Sequence, residues 1–211
     1  MHFNQILIVD SIPAGERNTA KELYEDVRLR AHVFEPELPV MFQRVESRDE
    51  FLALLSDLAN MASTMGNIPV LHIECHGNDE GVVFADQSFA TWGDMKIPLT
   101  NLNVATAMNL LVVVSACNGG AITHSVSLVD RAPLYGLVGP VRDVTSEELI
   151  RSYLALYETI LRTRSAKLAV DAMNAAVPDT FVCYTAEWVF QYVWDHYQKA
   201  YETPEARLER V

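Results

Sequence analysis

Two short segments of the sequence combine a thiol or an imidazole with small residues, and each follows a run of apolar residues. The first is Glu74-Cys75-His76-Gly77, and the second is Ser115-Ala116-Cys117-Asn118-Gly119-Gly120. A thiol is a weak nucleophile until it loses its proton, and a neighbouring imidazole can accept that proton and later pass it to a leaving amine. We therefore predict that His76 and Cys117 form a catalytic pair for acyl transfer.

Glycines accompany both reactive residues. Because it lacks a Cβ, Gly77 is expected to leave room for the backbone of a substrate, and Gly119-Gly120 is expected to let the chain turn sharply after the nucleophile. The backbone amides of Gly77 and Cys117 are predicted to form an oxyanion hole, which stabilises the negative charge that develops on the attacked carbonyl oxygen.

The two segments can act together only if the fold brings their strands side by side. Short apolar runs that indicate buried strands alternate with helical patterns along the chain, over residues 3–9, 40–45, 69–75, 110–115, 134–138 and 180–184. Near-continuous apolar strands separated by helices are typical of a mostly parallel sheet that is covered on both faces. We therefore predict an α/β fold with a mostly parallel six-stranded sheet and helices on both faces, in one domain that spans residues 1–211.

Capping patterns mark the starts of two helices. Ser47 and Glu50 are predicted to form a capping box, in which the two side chains satisfy free backbone amides, and Thr145 and Glu148 are predicted to form another. Further helices are predicted over residues 20–31, 101–107 and 166–176, and a small hairpin is predicted over residues 81–90.

The ends of the third and fourth predicted strands carry the reactive segments. In an open α/β sheet, ligands bind beyond the carboxyl ends of the strands. If these two strands are neighbours, His76 and Cys117 face each other across the same edge of the sheet.

The two motifs resemble those of the caspase-like cysteine peptidases. An apolar strand that ends in His76-Gly77, followed by one that ends in Ser115-Ala116-Cys117, is most similar to the bacterial CHAT-domain group, in the clan of caspases, metacaspases and separases. Trp92 and the segment Tyr135–Asp143 share the likeness, which extends from about Ile68 to Ala176. The resemblance implies a three-layer α/β/α, caspase-hemoglobinase-like fold and a cysteine endopeptidase that cleaves a partner protein.

The same resemblance implies a biological setting. Peptidases of this group often serve bacterial antiviral defence or regulated death by processing one effector protein. The chain is little more than a catalytic domain, so we expect recognition and activation to come from an activating or recruiting protein or from a loop of the chain. The candidate activation loops are residues 118–133 and 78–98.

The predicted specificity pocket differs from those of both better-known groups. In caspases, the residue two before the cysteine and the end of the first strand help to bind an acidic side chain, and metacaspases carry an Asp at the first of these positions. By this resemblance, the corresponding positions in this sequence are Ser115 and Asp10, and Asp143 is a third predicted pocket residue. Since none is cationic, cleavage after Asp is expected to be disfavoured. A basic residue is expected if Asp10 or Asp143 forms the pocket floor, and an apolar or small uncharged one otherwise.

Composition excludes several other classes of function. The formal net charge is −12 at pH 7, so most of the surface repels nucleic acids and anionic membranes. No run approaches the roughly 18 apolar residues of a membrane helix, and no signal peptide is evident. The three cysteines are widely spaced, which argues against a disulfide framework. We predict a cytoplasmic protein that needs no cofactor and no metal.

Several alternatives remain open at this stage. Strand alternation predicts that His72, Glu74 and His76 share one face, where they could bind a metal ion. Three ligands from one strand fit tetrahedral coordination poorly unless another element supplies a fourth. The preferred interpretation is that His72 is an interior histidine with its hydrogen bonds satisfied and that Glu74 lies near a helix or loop donor. His124 and His196 are alternative bases.

The other two cysteines and a second function class complete the alternatives. Cys75 and Cys183 are expected to be inert core residues. A receiver domain is disfavoured because Cys75-His76 occupies the place of its phosphoacceptor Asp, and a glutamine amidotransferase because its cysteine precedes its histidine. The alternative function is a catalytically silent, caspase-like binding or scaffold module.

Overall fold

Strands and helices alternate along residues 1–125 and 131–201, which the computed structural model describes. The strands are β1 (Gln5–Asp10), β2 (Val40–Arg44), β3 (Pro69–Glu74), β4 (His76–Gly77), β5 (Gly81–Val83), β6 (Phe89–Thr91), β7 (Leu111–Ser115), β8 (Gly136–Pro140) and β9 (Phe181–Thr185). The helices are α1 (Thr19–Phe34), α2 (Arg48–Met65), α3 (Trp92–Ala105), α4 (Ser146–Thr163), α5 (Ala166–Ala176) and α6 (Ala186–Tyr201). Within these residues, no helix is both long and apolar enough to cross a membrane.

The central sheet has six strands in the order β2-β1-β3-β7-β8-β9. The first five of these run parallel, and β9 runs antiparallel to β8 at one edge. Successive residues of a strand point to opposite faces, so the apolar run of β3 supplies both sides of the sheet: Leu71 packs toward α2 and α3, and Val70 packs toward α1, α4 and α5. The predicted fold class, a mostly parallel six-stranded sheet between two layers of helices, is confirmed.

The register of the sheet places the ends of three neighbouring strands in one row. Asp10 of β1 pairs with Glu74 of β3, which pairs in turn with Ser115 of β7. The strands that carry the two reactive segments are therefore adjacent, as the sequence required, and both segments leave the sheet at the same edge.

A second, three-stranded antiparallel sheet in the order β4-β5-β6 follows the end of β3. It begins with His76 and Gly77, which the sequence assigned to the end of the third strand or just beyond it. Val82, Phe84 and Ala90 are buried in the core against the central sheet. One of the two proposed activation segments, residues 78–98, is thus a packed part of the fold, while the other, residues 118–133, includes residues outside the described part.

The helix before β7 is longer than the sequence predicted. It begins at Trp92 rather than near residue 101 and contains Pro98. Thr91 and Asp94 form a capping box there, in which each side chain accepts a hydrogen bond from the other residue's backbone amide. This cap stabilises a first turn that the sequence analysis left outside the helix.

The two predicted capping boxes differ in their details. Thr145 and Glu148 form the full reciprocal box at the start of α4, as predicted. At the start of α2, Ser47 accepts from the amide of Glu50, but the Glu50 carboxylate accepts from the amide of Glu46. Both side chains still satisfy a free amide of the chain at the helix start.

The chain leaves β7 through a tight turn that follows Cys117. Asn118 takes the left-handed conformation with φ 55°, and the amide of Gly119 donates to the carbonyl of Ala116. A Cβ on Gly119 would lie 2.7 Å from Val114 Cγ1, closer than real Cβ atoms approach. Gly119 is therefore needed because the chain passes too close to Val114 of β7 for a side chain to fit. The residue with a positive φ in this turn is Asn118.

We expect Gly119→Ala to lower the free energy of unfolding by about 1–3 kcal/mol, because the added methyl group forces Val114 and the turn apart. Gly93→Ala is the matched control, since its Cβ would meet only Thr91 Oγ1 at 3.6 Å. Urea unfolding followed by circular dichroism measures both variants. Equal stability of the two alanine variants would contradict this account of the turn.

Candidate active site

His76 and Cys117 line one cavity of about 70 Å³ at the carboxyl edge of the central sheet. The cavity lies between the ends of β3 and β7 on one side and the starts of α1 and α4 on the other, where Thr19 and Ser146 contribute to its lining. The structure thus brings together the thiol and the imidazole that the sequence predicted to act as a pair.

Gly77 brings the two reactive segments into direct contact. A Cβ on this residue would lie 2.9 Å from Ala116 Cβ and 3.1 Å from the carbonyl oxygen of Cys117. The expectation that the missing Cβ leaves room for substrate is therefore wrong, because the protein's own nucleophile segment occupies that space. The glycine sets the spacing between the segments.

Neither of the two amides proposed for the oxyanion hole has an acceptor within the part of the chain that the structure describes. Asn78 donates its amide to Gly81, so the alternation of the antiparallel ladder directs the amide of Gly77 away from β5. The amide of Cys117 has no hydrogen-bond acceptor among the described residues. Of the two residues, Cys117 lines the cavity, whereas Gly77 is not among its lining residues and packs against Ala116 and Cys117 beside it. An oxyanion hole requires both donors to point at one position next to the nucleophile.

The imidazole of His76 is held by a carboxylate that the sequence analysis did not identify. Its Nε2 lies 2.9 Å from Oε2 of Glu16, and both side chains are about half exposed. Glu16 belongs to the loop between β1 and α1, sixty positions before His76, and no local pattern in the sequence joins the two.

The thiol of Cys117 is partly exposed and turned toward α4. Its Sγ lies 3.9 Å from the carbonyl oxygen of Val144, just before that helix. Across the described residues, no hydrogen bond joins Cys117 to His76. Catalytic hydrogen bonds are often long in the absence of substrate, so this arrangement is compatible with a resting site.

The other two thiols are poorly suited to be nucleophiles. Cys75 also borders the cavity, but burial raises the pKa of its thiol, and the neighbouring Glu74 carboxylate raises it further. Cys183 is partly exposed, so the expectation that it is a core residue is wrong, but it lies on β9 away from the cavity, and partial burial raises the pKa of its thiol. Since the thiolate is the reactive form, Cys117 is the best-placed nucleophile of the three.

Glu74 is buried at the cavity floor and has a full set of partners. Thr19, at the first turn of α1, donates its hydroxyl to one carboxylate oxygen, and His72 Nε2 lies 2.9 Å from the other. The second ring nitrogen of His72 is 3.0 Å from the hydroxyl of Tyr157 on α4. His72 is thus a satisfied interior histidine and Glu74 has a helix donor, as predicted.

The same network separates His72 from His76. His72 and Glu74 are buried on one face of β3, whereas His76 lies in β4 and is exposed, so the prediction that all three share one face is wrong. The reason is that the strand ends at Glu74 and its alternation stops there. Among the described residues, no three His, Cys, Asp or Glu side chains are grouped to hold a metal ion.

The negative charge of Glu74 affects the pKa values of two neighbouring buried tyrosines. Burial raises the pKa values of Tyr153 and Tyr157, and the neighbouring Glu74 carboxylate adds to both shifts. Both phenols therefore stay protonated and act as hydrogen-bond groups, with the hydroxyl of Tyr153 donating to the carbonyl of Val114 at 2.8 Å.

Of the three predicted pocket residues, the structure brings only Ser115 to the cavity. Asp10 is 1% exposed and accepts hydrogen bonds from the amide of Ile12, the Asn18 side chain and Arg44, so it anchors the loop that carries Glu16. Asp143 is exposed to solvent and accepts a hydrogen bond from Asn118 outside the cavity lining.

Of the two alternative bases, His196 does not line the cavity, and the side chain of His124 falls outside what the structure describes. His196 lies on α6, where its ring packs on Tyr192 with centroids 4.2 Å apart. The side chain of His124 lies outside the described residues, although its backbone belongs to the short 3-10 helix Gly119–Ser125.

The burial of Cys75 and the partial exposure of Cys117 predict which of the two cavity thiols is alkylated first. In the folded protein, iodoacetamide is expected to modify Cys117 at least about tenfold faster than Cys75, since only a partly exposed thiol can both ionise and meet the reagent. Peptide mass spectrometry after timed quenching measures the two rates, with the urea-unfolded protein as the control for equal access. Faster modification of Cys75 would contradict the assigned nucleophile.

Comparison with known proteins does not place the chain in a family. No protein-family model matches it, and no curated protein sequence matches it either. The resemblance to caspase-like peptidases therefore remains a prediction from the sequence motifs alone.

Proposed function

We propose that the protein is a cysteine endopeptidase in which Cys117 is the nucleophile and His76 is the general base and acid. The observation that carries this proposal is that both residues line one cavity at the ends of adjacent parallel strands, with their segments in contact at Gly77. This is the edge at which open α/β sheets bind their ligands.

The reaction begins when His76 takes the proton of the Cys117 thiol. The thiolate attacks the carbonyl carbon of the substrate's peptide bond, and the amides of Gly77 and Cys117 donate to the resulting oxyanion. As this intermediate collapses, the C–N bond breaks and the imidazolium gives its proton to the departing amine, which leaves a thioester. Water, deprotonated by His76, then attacks the thioester, and its collapse releases the acid and restores the thiol.

Glu16 is assigned a positioning role in this reaction. With the Nε2 hydrogen of His76 donated to the Glu16 carboxylate, the other ring nitrogen is left as the acceptor for the thiol proton. Because both side chains are about half exposed, the contribution of this pair is expected to be modest.

An activating protein is part of the proposal. The side chains of His76 and Cys117 are each engaged with another group, Glu16 and the carbonyl of Val144, so a productive site requires the thiol to turn toward the imidazole. We assign that change to the docking of a partner or substrate protein. The cytoplasm and a bacterial defence or regulated-death system are the proposed setting, which follows from the resemblance at the two motifs.

One observation favours a second function, a silent binding or scaffold module of caspase-like fold. In the described part of the molecule, the two reactive side chains make no hydrogen bond with each other. A protein that had lost catalysis but kept its fold would show the same feature. Activity after docking separates the two functions.

Cys117→Ala and His76→Ala are each expected to lower kcat/KM by at least about 100-fold, because each removes one half of the proton-transfer pair. The assay uses a mixture of peptidyl-coumarin amides and, where a partner is identified, that partner as substrate. Unfolding curves check that the fold is retained.

Cys75→Ala is the matched control for the dyad, since its thiol borders the same cavity and its loss is expected to leave the rate unchanged. All assays contain EDTA, because a thiol and an imidazole suffice for acyl transfer without a metal. Full activity of Cys117→Ala, or activity that returns only with added zinc, would overturn the proposed mechanism.

Glu16→Gln is expected to lower kcat by about two- to fivefold and to leave KM unchanged, because it weakens an exposed pair that orients the catalytic imidazole. Glu147→Gln is the control, since Glu147 is an exposed carboxylate that pairs with Arg17, next to Glu16, and does not contact His76. Steady-state kinetics on one coumarin peptide measures both variants. An equal loss in both, or a change confined to KM, would refute the positioning role.

A further inference from the structure

The helix that follows the edge strand β9 exposes most of the side chains it carries. Of the α6 side chains that the structure describes, only Val189 is buried. The exposed ones include four large aromatic side chains, each between 41% and 51% exposed: Trp188, Phe190, Tyr192 and Trp194. Contiguous exposed apolar surface on a soluble protein commonly marks a place where another molecule binds.

One row of these rings is ordered by stacking. Trp188 lies between Tyr184 of β9 and Tyr192, with ring centroids 4.9 and 5.3 Å away and planes 19° and 15° from parallel. His196 continues the row, with its centroid 4.2 Å from that of Tyr192. We call these four residues the aromatic stack. Because its rings are already held in place, a partner that docks on them immobilises few side chains.

Carboxylates form a second row on the same helix, directly beside the stack. Side chains three or four positions apart are neighbours on a helix surface. Asp195 therefore lies beside Tyr192, and Gln191 donates a hydrogen bond of 2.7 Å to its carboxylate. Glu187 is exposed at the other end of this row, three positions before Phe190. The exposed face of α6 thus alternates aromatic and acidic rows.

We propose that this face of α6 is a docking surface for a basic, arginine-rich segment of a partner protein. A guanidinium binds to exposed ring surface through cation–π contact and pairs with the adjacent carboxylates. The formal net charge of −12 adds a longer-range attraction for a basic partner. The inference names the chemistry of a partner and holds whether or not the protein is a peptidase.

The charges of the face decide between possible occupants. Its described charged side chains, Glu187 and Asp195, are both carboxylates, and the α6 sequence has one lysine, Lys199, near its end. Nucleic-acid bases and membrane interfaces also suit exposed aromatic rings, but their phosphates would be repelled. A second copy of the chain would bring identical acidic rows together in a symmetric contact. A basic segment complements both the face and the whole protein.

The test measures the binding of a fluorescein-labelled peptide of alternating alanine and arginine to the full chain by fluorescence anisotropy. The buffer contains about 0.15 M salt, which screens charges that are more than about 8 Å apart. Matched peptides carry glutamate in place of arginine, or citrulline, which has nearly the shape of arginine without its charge. The arginine peptide is expected to bind at least about tenfold more tightly than either one.

Trp188→Ala and Tyr192→Ala are each expected to weaken binding of the arginine peptide by about two- to fivefold, because each removes ring surface without changing the net charge. Ile97→Ala is the matched control, since Ile97 on α3 is 71% exposed and does not belong to this face. Thermal unfolding checks that the variants keep the fold.

Asp195→Asn is expected to weaken binding by about two- to fivefold, because it removes a carboxylate that lies beside the rings. Asp57→Asn is the matched control, since Asp57 is an exposed aspartate on α2 and its loss changes the net charge equally. Equal weakening by the two asparagine variants would mean attraction by net charge alone and would refute the docking surface.

The proposal also fails if the citrulline peptide binds as tightly as the arginine peptide, or if Trp188→Ala and Tyr192→Ala bind like the unchanged protein. Tighter binding of a single-stranded RNA oligonucleotide or of phosphatidylglycerol vesicles would assign the face to a different occupant. So would a dimer in sedimentation that both alanine variants disrupt. None of these measurements uses the reaction of Cys117, so a failure of the docking surface and a failure of the proposed peptidase are read separately.

Discussion

A buried carboxylate at the end of the third strand organises this edge of the molecule. Removing a charged group from water costs several kcal/mol unless it is well paired, and Glu74 is almost completely buried. Its partners come from three elements: Thr19 starts α1, His72 lies in β3, and Tyr157 completes the chain of hydrogen bonds from α4. Satisfying one charge thereby fixes two helix positions against the central strand. The cavity of the candidate site is the space that remains above this network.

The reactive residues are placed by elements that this network holds. Once β3 ends at Glu74, the chain passes into the second sheet and carries His76 outward, where it meets Glu16. The loop of Glu16 is anchored in turn by Asp10, whose carboxylate joins the start of α1 to Arg44 of β2. The site therefore combines a rigid buried floor with a more exposed rim. In the proposed peptidase, the exposed rim is the part that adjusts when a partner or substrate docks.

The fold was predictable from the sequence because its strands are apolar on both faces and its helices are amphipathic. The junction between the reactive segments followed from the same argument, since the carboxyl ends of adjacent parallel strands meet at one edge. The limits of the prediction have physical causes too. The alternation of side chains along β3 does not show at which residue the strand ends. His76 was therefore assigned to the face of β3 that carries His72 and Glu74, although it belongs to β4. The partners of Glu16 and Asp10 lie far away in sequence, and only the folded chain brings them together. Asp10 was therefore assigned to a pocket that it does not line.

The most direct test of the account is the structure of the protein after reaction with a peptidyl chloromethyl ketone. The account requires a bond to Cys117 Sγ and the ketone-derived oxygen within hydrogen-bond distance of the amides of Gly77 and Cys117. It also requires the imidazole of His76 to lie beside the labelled sulfur. An adduct on Cys75 or Cys183, or one on Cys117 whose oxygen points away from both amides, would contradict the assignment of this site as a peptidase centre.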